Sequence, residues 1–331
     1  MQQKTDAYLF NEIIESLKKQ SWLGNRKWWP NYLFHFTDIK NAINILSTEK
    51  ILSRENINQL GGMKNENASP EVISNTESKW KKYVRFYFRP RTPTQFRNEG
   101  IRPISERPLG AHCPMPIFFV FNSLPLLTRH DSEFSYGSLA NADAVTFNTA
   151  EKFREMPFQY IYHEGSYDPT NQQYIKSNRH AELIIPNECN LDHLFRIVCR
   201  SHAEKETLLF LLDSATRRKW RKIITVDTAG KLYYSNWTFV DKVLLTPHKI
   251  TFNLNRGKGV AGTFSYFLKI VEQKSGEIYT AEREDYSPQD TLVFNLQNLK
   301  FPNNYKVEFY LDGDLAYSNH YIEVIDDDLP F

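Results

Sequence analysis

From about residue 222 onward, the chain consists of short strand-like runs separated by turns that contain Gly, Asn, Pro and Asp. This spacing is typical of a β-sandwich, whereas the residues before 222 mix helical and strand patterns as an α+β domain does. The sequence therefore predicts a helical extension at 1–29, an α+β domain at 30–221 and an immunoglobulin-like sandwich at 222–331. The strand-like runs are KIITVD, KLYYSNWTFV, KITFNL, TFSYFLKIVEQ, EIYTAERE, TLVFNL and YKVEFYLD.

The composition is that of a globular protein, since 41% of the 331 residues are hydrophobic and 24% are charged. A formal net charge of +2 means that any contact with nucleic acid depends on local clusters of basic residues. The three cysteines lack the spacing of a disulfide framework or a zinc site, which fits a reducing cytosol. The N-terminus lacks the pattern of a secretion signal, and no apolar run could span a membrane. We therefore expect a cytoplasmic protein with no membrane contact and no metal.

Several elements of the α+β part can be located from local patterns. Apolar residues at helical spacing predict a helix over 6–20, and Asp38 is placed to cap a second helix. Ser201 and Glu204 form a capping-box pattern at the start of a helix that runs to about residue 220. The polar segment 53–80 predicts a long, mobile loop, and loops of that length are usually functional or disordered. Strands are predicted at YLFHF (32–36), KKYVRFYF (81–88), PIFFVFN (116–122) and AELII (181–185).

A GxGxxG pattern occurs at Gly257, Gly259 and Gly262. A dinucleotide-binding site of this type needs a strand before the glycines and a helix after them. Here a strand-like run lies on both sides, so the pattern predicts a hairpin loop.

Nine lysines and arginines lie between residues 79 and 107, with only Glu99 and Glu106 against them. Interleaved aromatic residues are Tyr83, Phe86, Tyr87, Phe88 and Phe96. Cations interleaved with flat rings suit a groove for single-stranded nucleic acid or for a ligand that carries phosphate. A solvated edge strand with protective lysines accounts for the same pattern equally well. Arg91 lies between Pro90 and Pro93, which restrict its backbone and favour a fixed direction for its guanidinium.

Two further candidates are polar residues within apolar strands. His35 and Thr37 share one face of their strand, so the two side chains can bind one planar amide together. Glu182 begins a buried strand, where a carboxylate is costly unless it is exposed, paired or used. Taken alone, a core histidine and a solvated strand-end glutamate are the commoner explanations of these two positions.

In order along the chain, three stretches resemble the DarT family of DNA ADP-ribosyltransferase toxins. The stretch YLFHFTDIKNAINILSTEKILSREN resembles its opening strand and helix. The stretch YVRFYFRPRTPTQF resembles its central strand and turn, and RHAELIIP resembles the strand that begins with its catalytic glutamate. The resemblance covers roughly residues 30–215.

The resemblance implies an NAD-dependent mono-ADP-ribosyltransferase with a split-sheet α+β fold, which modifies a base in single-stranded DNA or RNA. It also implies a role as a toxin or phage-defence effector, with an antitoxin or chaperone as partner. Together with the basic cluster, it assigns the following roles. The expected catalytic residues are Glu182 and Arg91. The expected NAD-binding residues are His35, Thr37, Arg54, Tyr87 and Arg91. The expected nucleic-acid-binding residues are Arg85, Arg89, Tyr167, Arg179 and His180.

The sequence departs from the family pattern in the segment before the central strand. The family carries an arginine there, in a helix that covers the cofactor, but residues 55–78 contain none. Thr94 also stands where methionine is usual. Two other functions stay open: a non-catalytic nucleic-acid-binding module, and an NAD glycohydrolase in which water replaces the base.

Overall fold

A computed structural model of the chain describes residues 2–107, 111–167, 169–258 and 262–323. Within these ranges, no helix is both long and apolar enough to cross a membrane. The α-helices are α1 Ala7–Lys18, α2 Ile39–Thr48, α3 Arg54–Gln59, α4 Pro70–Asn75, α5 Pro93–Asn98, α6 Ser123–Leu127, α7 Ala150–Arg154, α8 Phe158–Ile161, α9 Gln172–Asn178, α10 His202–Leu211 and α11 Ser214–Trp220.

The strands fall into two groups along the chain. Those of the first part are β1 Tyr32–Asp38, β2 Lys50–Leu52, β3 Tyr83–Tyr87, β4 Pro116–Asn122, β5 Glu133–Phe134, β6 Glu182–Pro186, β7 Glu188–Asn190, β8 Leu194–Cys199 and β9 Ile224–Val226. Those of the second part are β10 Phe239–Leu245, β11 Lys249–Asn255, β12 Phe264–Glu272, β13 Ile278–Tyr286, β14 Thr291–Asn295, β15 Asn304–Leu311 and β16 Asp314–Ile322.

The first part is built on a seven-stranded sheet in the order β5-β6-β3-β1-β4-β8-β9. Its neighbouring strands are antiparallel except β8 and β9, which are parallel. A separate two-stranded ladder joins β2 to β7. Helices and strands are mixed, so the predicted α+β class is confirmed for this part of the chain.

The seven-stranded sheet opens between β1 and β3. Seven residue pairs join β1 to β4 and five join β3 to β6, but only the pair Phe34 and Tyr87 joins β1 to β3. The two strands therefore separate toward the end of β1 that carries Thr37. This opening leaves room for a cleft that is lined by β1 and β3.

Helix α1 packs into the same hydrophobic core as the sheet. Its residues Phe10, Ile13, Ile14 and Leu17 are buried in one cluster with the inner faces of β3, β4 and β6. The helical extension predicted before residue 30 is therefore part of this core, because its apolar stripe has no other surface to cover.

Most local predictions agree with the structure. Asp38 caps α2 by accepting a hydrogen bond from the amide of Lys40, 2.9 Å away, and Ser201 accepts one from the amide of Glu204 at 3.1 Å. The helix predicted to run from residue 201 to about 220 is two helices, because Asp213 caps the start of α11. The polar segment 53–80, predicted to be a long loop, contains α3 and α4, capped by Ser53 and by a second serine, Ser69.

The second part of the chain forms two antiparallel sheets. One has the strand order β10-β11-β14 and the other the order β13-β12-β15-β16. Both contribute buried residues to one apolar cluster, in which the rings of Phe252 and Phe309 stack with their centroids 4.5 Å apart. This part of the chain is therefore strand-rich, with a core of its own.

The glycine-rich segment is not a hairpin loop, because β11 and β12 belong to different sheets. The two strands are not hydrogen-bonded to each other. Their buried side chains belong to one apolar cluster between the two sheets. Gly257 has a φ of +76°, and a Cβ there would come within 2.6 Å of the carbonyl oxygen of Asn236. Gly259 lies outside the described residues, and the strand β12 that follows excludes the helix of a dinucleotide site.

The two parts are joined through α10. On one side of this helix, the hydroxyl of Ser201 donates to the carbonyl of Val240 at 2.7 Å. On another, the hydroxyl of Tyr317 donates to Glu206 at 2.8 Å. Strand β9 pairs with β8, and Tyr233 also packs on the first sheet, so residues 224–233 belong structurally to the first part.

A buried ion cluster lies at this junction. Arg200 is only 5% exposed. Its guanidinium forms an ion pair with Glu204 and lies 3.8 Å from the carboxylate of Glu99. Both glutamates are 1% exposed. Glu99 also accepts hydrogen bonds from the amides of Tyr234 and Ser235, which ties the chain after β9 to α5.

We expect Arg200→Met to lower the free energy of unfolding by about 3–5 kcal/mol, because it leaves two buried carboxylates without a cation. Urea titration followed by circular dichroism measures this. The matched control is Arg256→Met, whose partner Asp290 is exposed, with an expected change of about 0–1 kcal/mol. Equal stability of the Arg200 variant and the wild type would show that the cluster does not hold the junction together.

Candidate active site

The opening between β1 and β3 is occupied by a cavity of about 370 Å³. His35, Phe36 and Thr37 line it on the β1 side, and Tyr83, Val84, Arg85 and Tyr87 line it on the β3 side. Segment 53–80 covers it with α3 and α4. The separated strands thus form the walls and the polar segment forms the roof.

Glu182 is the first residue of β6 and lies directly opposite Tyr87 of β3. Glu182 is only 3% exposed. Its carboxylate accepts hydrogen bonds from the Tyr87 hydroxyl and from the backbone amide of Leu139, and Tyr87 is bonded in turn to the hydroxyl of Thr94. The alternative of a solvated strand-end residue is therefore excluded by burial.

One carboxylate oxygen of Glu182 is held less tightly. Among the described residues, Oε2 has no hydrogen-bond partner, and Nη1 of Arg85 lies 3.5 Å from it. A buried acceptor without a donor is costly and is therefore a candidate for contact with a ligand. Glu182 is not itself among the lining residues of the cavity, but Arg85 and Tyr87, which both contact its carboxylate, line it.

Burial raises the pKa of the Glu182 carboxyl above its ordinary value. Arg85, the amide of Leu139 and the hydroxyl of Tyr87 act in the opposite direction, because they favour the charged form. Burial and Glu182 likewise raise the pKa of Tyr87, which therefore stays protonated and can donate. Burial outweighs these three contacts, so the charged carboxylate is poorly compensated and a positive charge that develops beside it would stabilise it.

His35 joins the two separated strands, since its Nδ1 lies 3.0 Å from the carbonyl oxygen of Arg85. A carbonyl only accepts, so Nδ1 carries the proton and Nε2 is an acceptor. Burial lowers the pKa of His35, which keeps the ring neutral. The hydroxyl of Thr37 accepts from the side-chain amides of Asn41 at 3.2 Å and Asn67 at 3.4 Å, which leaves its own proton free to donate. The pair offers one acceptor and one donor, as binding of an amide requires.

Arg54 is the first residue of α3 and lines the cavity. Its guanidinium makes a two-point contact with Glu66, with Nη1–Oε2 at 2.5 Å and Nη2–Oε1 at 3.0 Å. Glu66 is fixed in turn by the amide of Ala68 at 2.8 Å. No sequence signal marked Glu66, which lies in a segment without periodicity.

The cavity wall is basic. Of the described residues that line it, five carry positive charge and Glu66 alone carries negative charge. Such a wall favours a ligand with phosphate groups. The five basic residues are Lys50, Arg54, Lys64, Lys81 and Arg85.

Arg89 and Arg91 lie elsewhere. Arg89 is 1% exposed, and its guanidinium donates to the carbonyls of Pro90, Ile161 and His163, so it has no surface with which to bind nucleic acid. Arg91 is not among the lining residues of the cavity. Its side chain extends to Glu164 and to carbonyls of the segment after β9.

Tyr167 and Arg179 lie together, outside the cavity lining. Arg179 donates to the Tyr167 hydroxyl at 2.6 Å and to Nδ1 of His163 at 2.8 Å. Burial together with the charges of Arg97 and Arg89 lowers the pKa of His180 to about 4. His180 is therefore neutral near pH 7 and offers a hydrogen bond rather than a positive charge.

Thr94 is a second residue whose role the sequence did not reveal. In the sequence, Thr94 was marked only because the family usually has methionine at this position. In the structure it lines the cavity and forms a hydrogen bond with Tyr87. Among the described residues, no group of three or more His, Cys, Asp or Glu side chains could hold a metal ion.

The chain is similar to one known protein family and to several solved structures. A family model described as "DarT: ssDNA thymidine ADP-ribosyltransferase, DarT" matches residues 34–234. Thermus sp. 2.9 DarT in complex with ADP-ribosylated ssDNA is 16% identical, with a TM-score of 0.48, over 62% of this chain and 97% of that one. Thermosipho africanus DarTG in complex with ADP-ribose is 15% identical, with a TM-score of 0.48, over 65% of this chain and 54% of that one. No curated protein matches the chain.

We expect Glu182→Gln to increase the free energy of unfolding near neutral pH. The folded pKa of Glu182 is raised, so the wild type loses stability as the pH rises from the unfolded pKa through the folded one, and glutamine does not titrate. The advantage of the variant should therefore grow across that interval and then level off. Urea titrations between about pH 4 and about pH 8 measure it.

The matched control is Glu155→Gln, which removes an exposed carboxylate paired with Lys152. Its stability should follow that of the wild type at each pH. A Glu182→Gln variant that is less stable than the wild type near neutral pH contradicts the prediction.

Proposed function

The chain belongs to the DarT family of ssDNA thymidine ADP-ribosyltransferases, and we propose that it transfers ADP-ribose from NAD to a base of a single-stranded nucleic acid. The observation that carries this proposal is the buried Oε2 of Glu182, which has no hydrogen-bond partner among the described residues. It lies beside a basic cavity that can accept the two phosphates of NAD.

The nicotinamide is bound by His35 and Thr37. Its amide group can donate to Nε2 of His35 and accept from the hydroxyl of Thr37, which matches the free positions of these two side chains. Tyr87 lies on the opposite wall and orients Glu182.

The phosphates are bound by Arg54. A guanidinium that makes a two-point contact with a carboxylate has the geometry that also suits a phosphate. Arg54 begins α3 in the segment that covers the cavity, so it can take the place of the arginine that this chain lacks at residues 55–78. Glu66 holds the guanidinium in position.

Glu182 stabilises the reaction's positive charge. As the bond between the ribose C1′ and the nicotinamide breaks, its electron pair leaves with the nicotinamide and positive charge develops on the ribose. A placed carboxylate stabilises that charge and can accept a hydrogen bond from a ribose hydroxyl. C1′ then bonds to an atom of the base, which gives up a proton to Glu182 or to a neighbouring group.

The acceptor lies against the segment before β6. Tyr167 offers a ring for a base to stack on, and Arg179 lies beside it at 4.6 Å from the ring centroid. His180 contributes a neutral hydrogen-bonding group. DNA is the acceptor named for the family, and RNA remains the alternative.

The sequence predicted a division into 1–29, 30–221 and 222–331. We propose instead one transferase part that extends to about residue 235, because α1 shares its core and β9 pairs with β8, followed by a second part. The last part is proposed to be an immunoglobulin-like sandwich, which its two sheets and shared core support. It binds an antitoxin or chaperone in a toxin or phage-defence system. Co-purification with such a protein from cells tests this role.

We expect Glu182→Gln to reduce transfer by about 10²–10⁴-fold, because the carboxylate acts on charge that develops in the transition state. The assay is incubation with NAD and DNA or RNA oligonucleotides of each base, followed by mass measurement of an added ADP-ribose. Glu155→Gln should retain activity. In cells, we expect the wild type to arrest growth and the Glu182 variant to allow it.

Three results would overturn the proposal in different ways. Transfer that persists in Glu182→Gln refutes the role of the carboxylate. Nicotinamide release that needs no nucleic acid identifies a glycohydrolase. Salt-sensitive binding of oligonucleotides with no consumption of NAD identifies a binding module.

We expect Arg54→Met to raise the KM for NAD about tenfold or more, because a charged hydrogen bond contributes about 1.5–3 kcal/mol. Steady-state kinetics with a saturating oligonucleotide measure it, with Arg154→Met in the exposed part of α7 as control. An unchanged KM would remove Arg54 from the NAD site.

A further inference from the structure

Four arginines from three segments of the chain meet at residues 161–167. Each donates to this segment or to the chain beside it: Arg26 to the carbonyl of Tyr162, Arg89 to those of Ile161 and His163, Arg91 to Glu164, and Arg179 to His163. We name Arg26, Arg89, Arg91 and Arg179 the arginine cluster. It is distinct from the cavity, since no member of the cluster lines it.

The cluster has more positive charge than its described neighbours neutralise. Among the described residues, Glu164 is the carboxylate within ion-pair distance, at 3.4 Å from Arg91 and 4.0 Å from Arg26. Carbonyl and imidazole acceptors satisfy hydrogen bonds but carry no formal charge. His163 is also uncharged near pH 7, because burial and the nearby arginines lower its pKa.

Burial makes this imbalance costly. Arg89 is 1% exposed and Arg179 is 7% exposed. The Nε atom of Arg179 is buried and has no hydrogen-bond partner among the described residues. Like charges brought together out of water destabilise the fold unless an anion compensates them.

Two members of the cluster lie close in sequence to the paired ends of β6 and β3. Arg179 precedes Glu182 by three residues, and Arg89 follows Tyr87, the cross-strand partner of Glu182, by two. Tyr167 stacks on His163 and contacts Arg179, which adds a ring at the same place. An anion bound here would therefore be close to the reacting base without entering the cavity.

We infer that Arg26, Arg91 and Arg179 of the arginine cluster bind a phosphodiester group of the acceptor strand, and that Glu164 occupies the position of that phosphate in the free protein. The buried Arg89 adds positive charge to this site without contacting the phosphate. This inference rests on the proposed function and assigns part of its acceptor site. It also gives Arg91 a role on the acceptor side, where the sequence predicted a role with NAD. Arg26 brings the segment before β1 into the same site.

The test is binding of a short, fluorescein-labelled single-stranded oligonucleotide, followed by anisotropy over a series of salt concentrations. All variants carry Glu182→Gln and NAD is omitted, so binding is measured without the reaction. DNA and RNA oligonucleotides form separate arms. The variants are Arg91→Gln, Arg26→Gln and Glu164→Gln, with Arg256→Gln as the control far along the chain.

We expect each of the two arginine variants to weaken binding for every sequence and to reduce the slope of log K against log salt by about 0.7 for each phosphate that the protein no longer neutralises. Glu164→Gln should tighten binding by about two- to fivefold, because it removes a competing charge. Arg256→Gln should leave both quantities unchanged. Circular dichroism identifies any arginine variant that fails to fold, and Glu164→Gln tests the inference without removing an arginine.

If Glu164→Gln binds no more tightly than its parent, or folded arginine variants keep the parent slope, the cluster only holds the segment in place and the inference is wrong. Failure of the proposed function gives a different result. In that case the salt slopes change as expected, yet no oligonucleotide gains ADP-ribose when it is incubated with NAD and the wild-type protein.

Discussion

The separation of β1 from β3 is the constraint on which the site depends. With a single residue pair between them, the sheet has room for a cavity, and its walls come from strands that the core holds rigidly on both sides. The contact between Nδ1 of His35 and the carbonyl of Arg85 bridges the strands where the pairing ends. It also fixes the tautomer of His35, so one hydrogen bond sets both the shape of the cavity and the chemistry of its wall.

Electrostatic strain is concentrated beside this opening. Glu182 is buried with a raised pKa, and the guanidinium of Arg85 lies 3.5 Å from its second carboxylate oxygen. A folded protein tolerates a buried charged group of this kind only where packing in the rest of the structure offsets its cost in stability. The overall charge of +2 conceals a matching asymmetry: residues 1–235 contain 32 Lys and Arg against 25 Asp and Glu, and residues 236–331 contain 9 against 14. The basic part of the chain is thus the part that carries the cavity and the arginine cluster.

The strand-rich second part is closely attached to the first. Helix α10 contacts the core of the first sheet and also β10 and β16, and the ion cluster around Arg200 lies at the same junction. Because Glu99 of this cluster accepts from the amides of residues 234 and 235, the connection between the two parts is ordered by buried hydrogen bonds. The second part is therefore packed against the first through buried contacts.

Sequence alone determined what local patterns encode: the strands that hold His35 and Glu182, the caps at Asp38 and Ser201, and the order of the three family stretches. It could not determine which residues meet across the sheet, because those contacts join positions about a hundred residues apart. Tertiary structure decided that Tyr87 and Arg85 face Glu182, that Arg89 is buried, and that β11 and β12 lie in different sheets. Charge clusters in particular are ambiguous in sequence, since burial and pairing, which set the energy of each charge, arise only when the chain has folded.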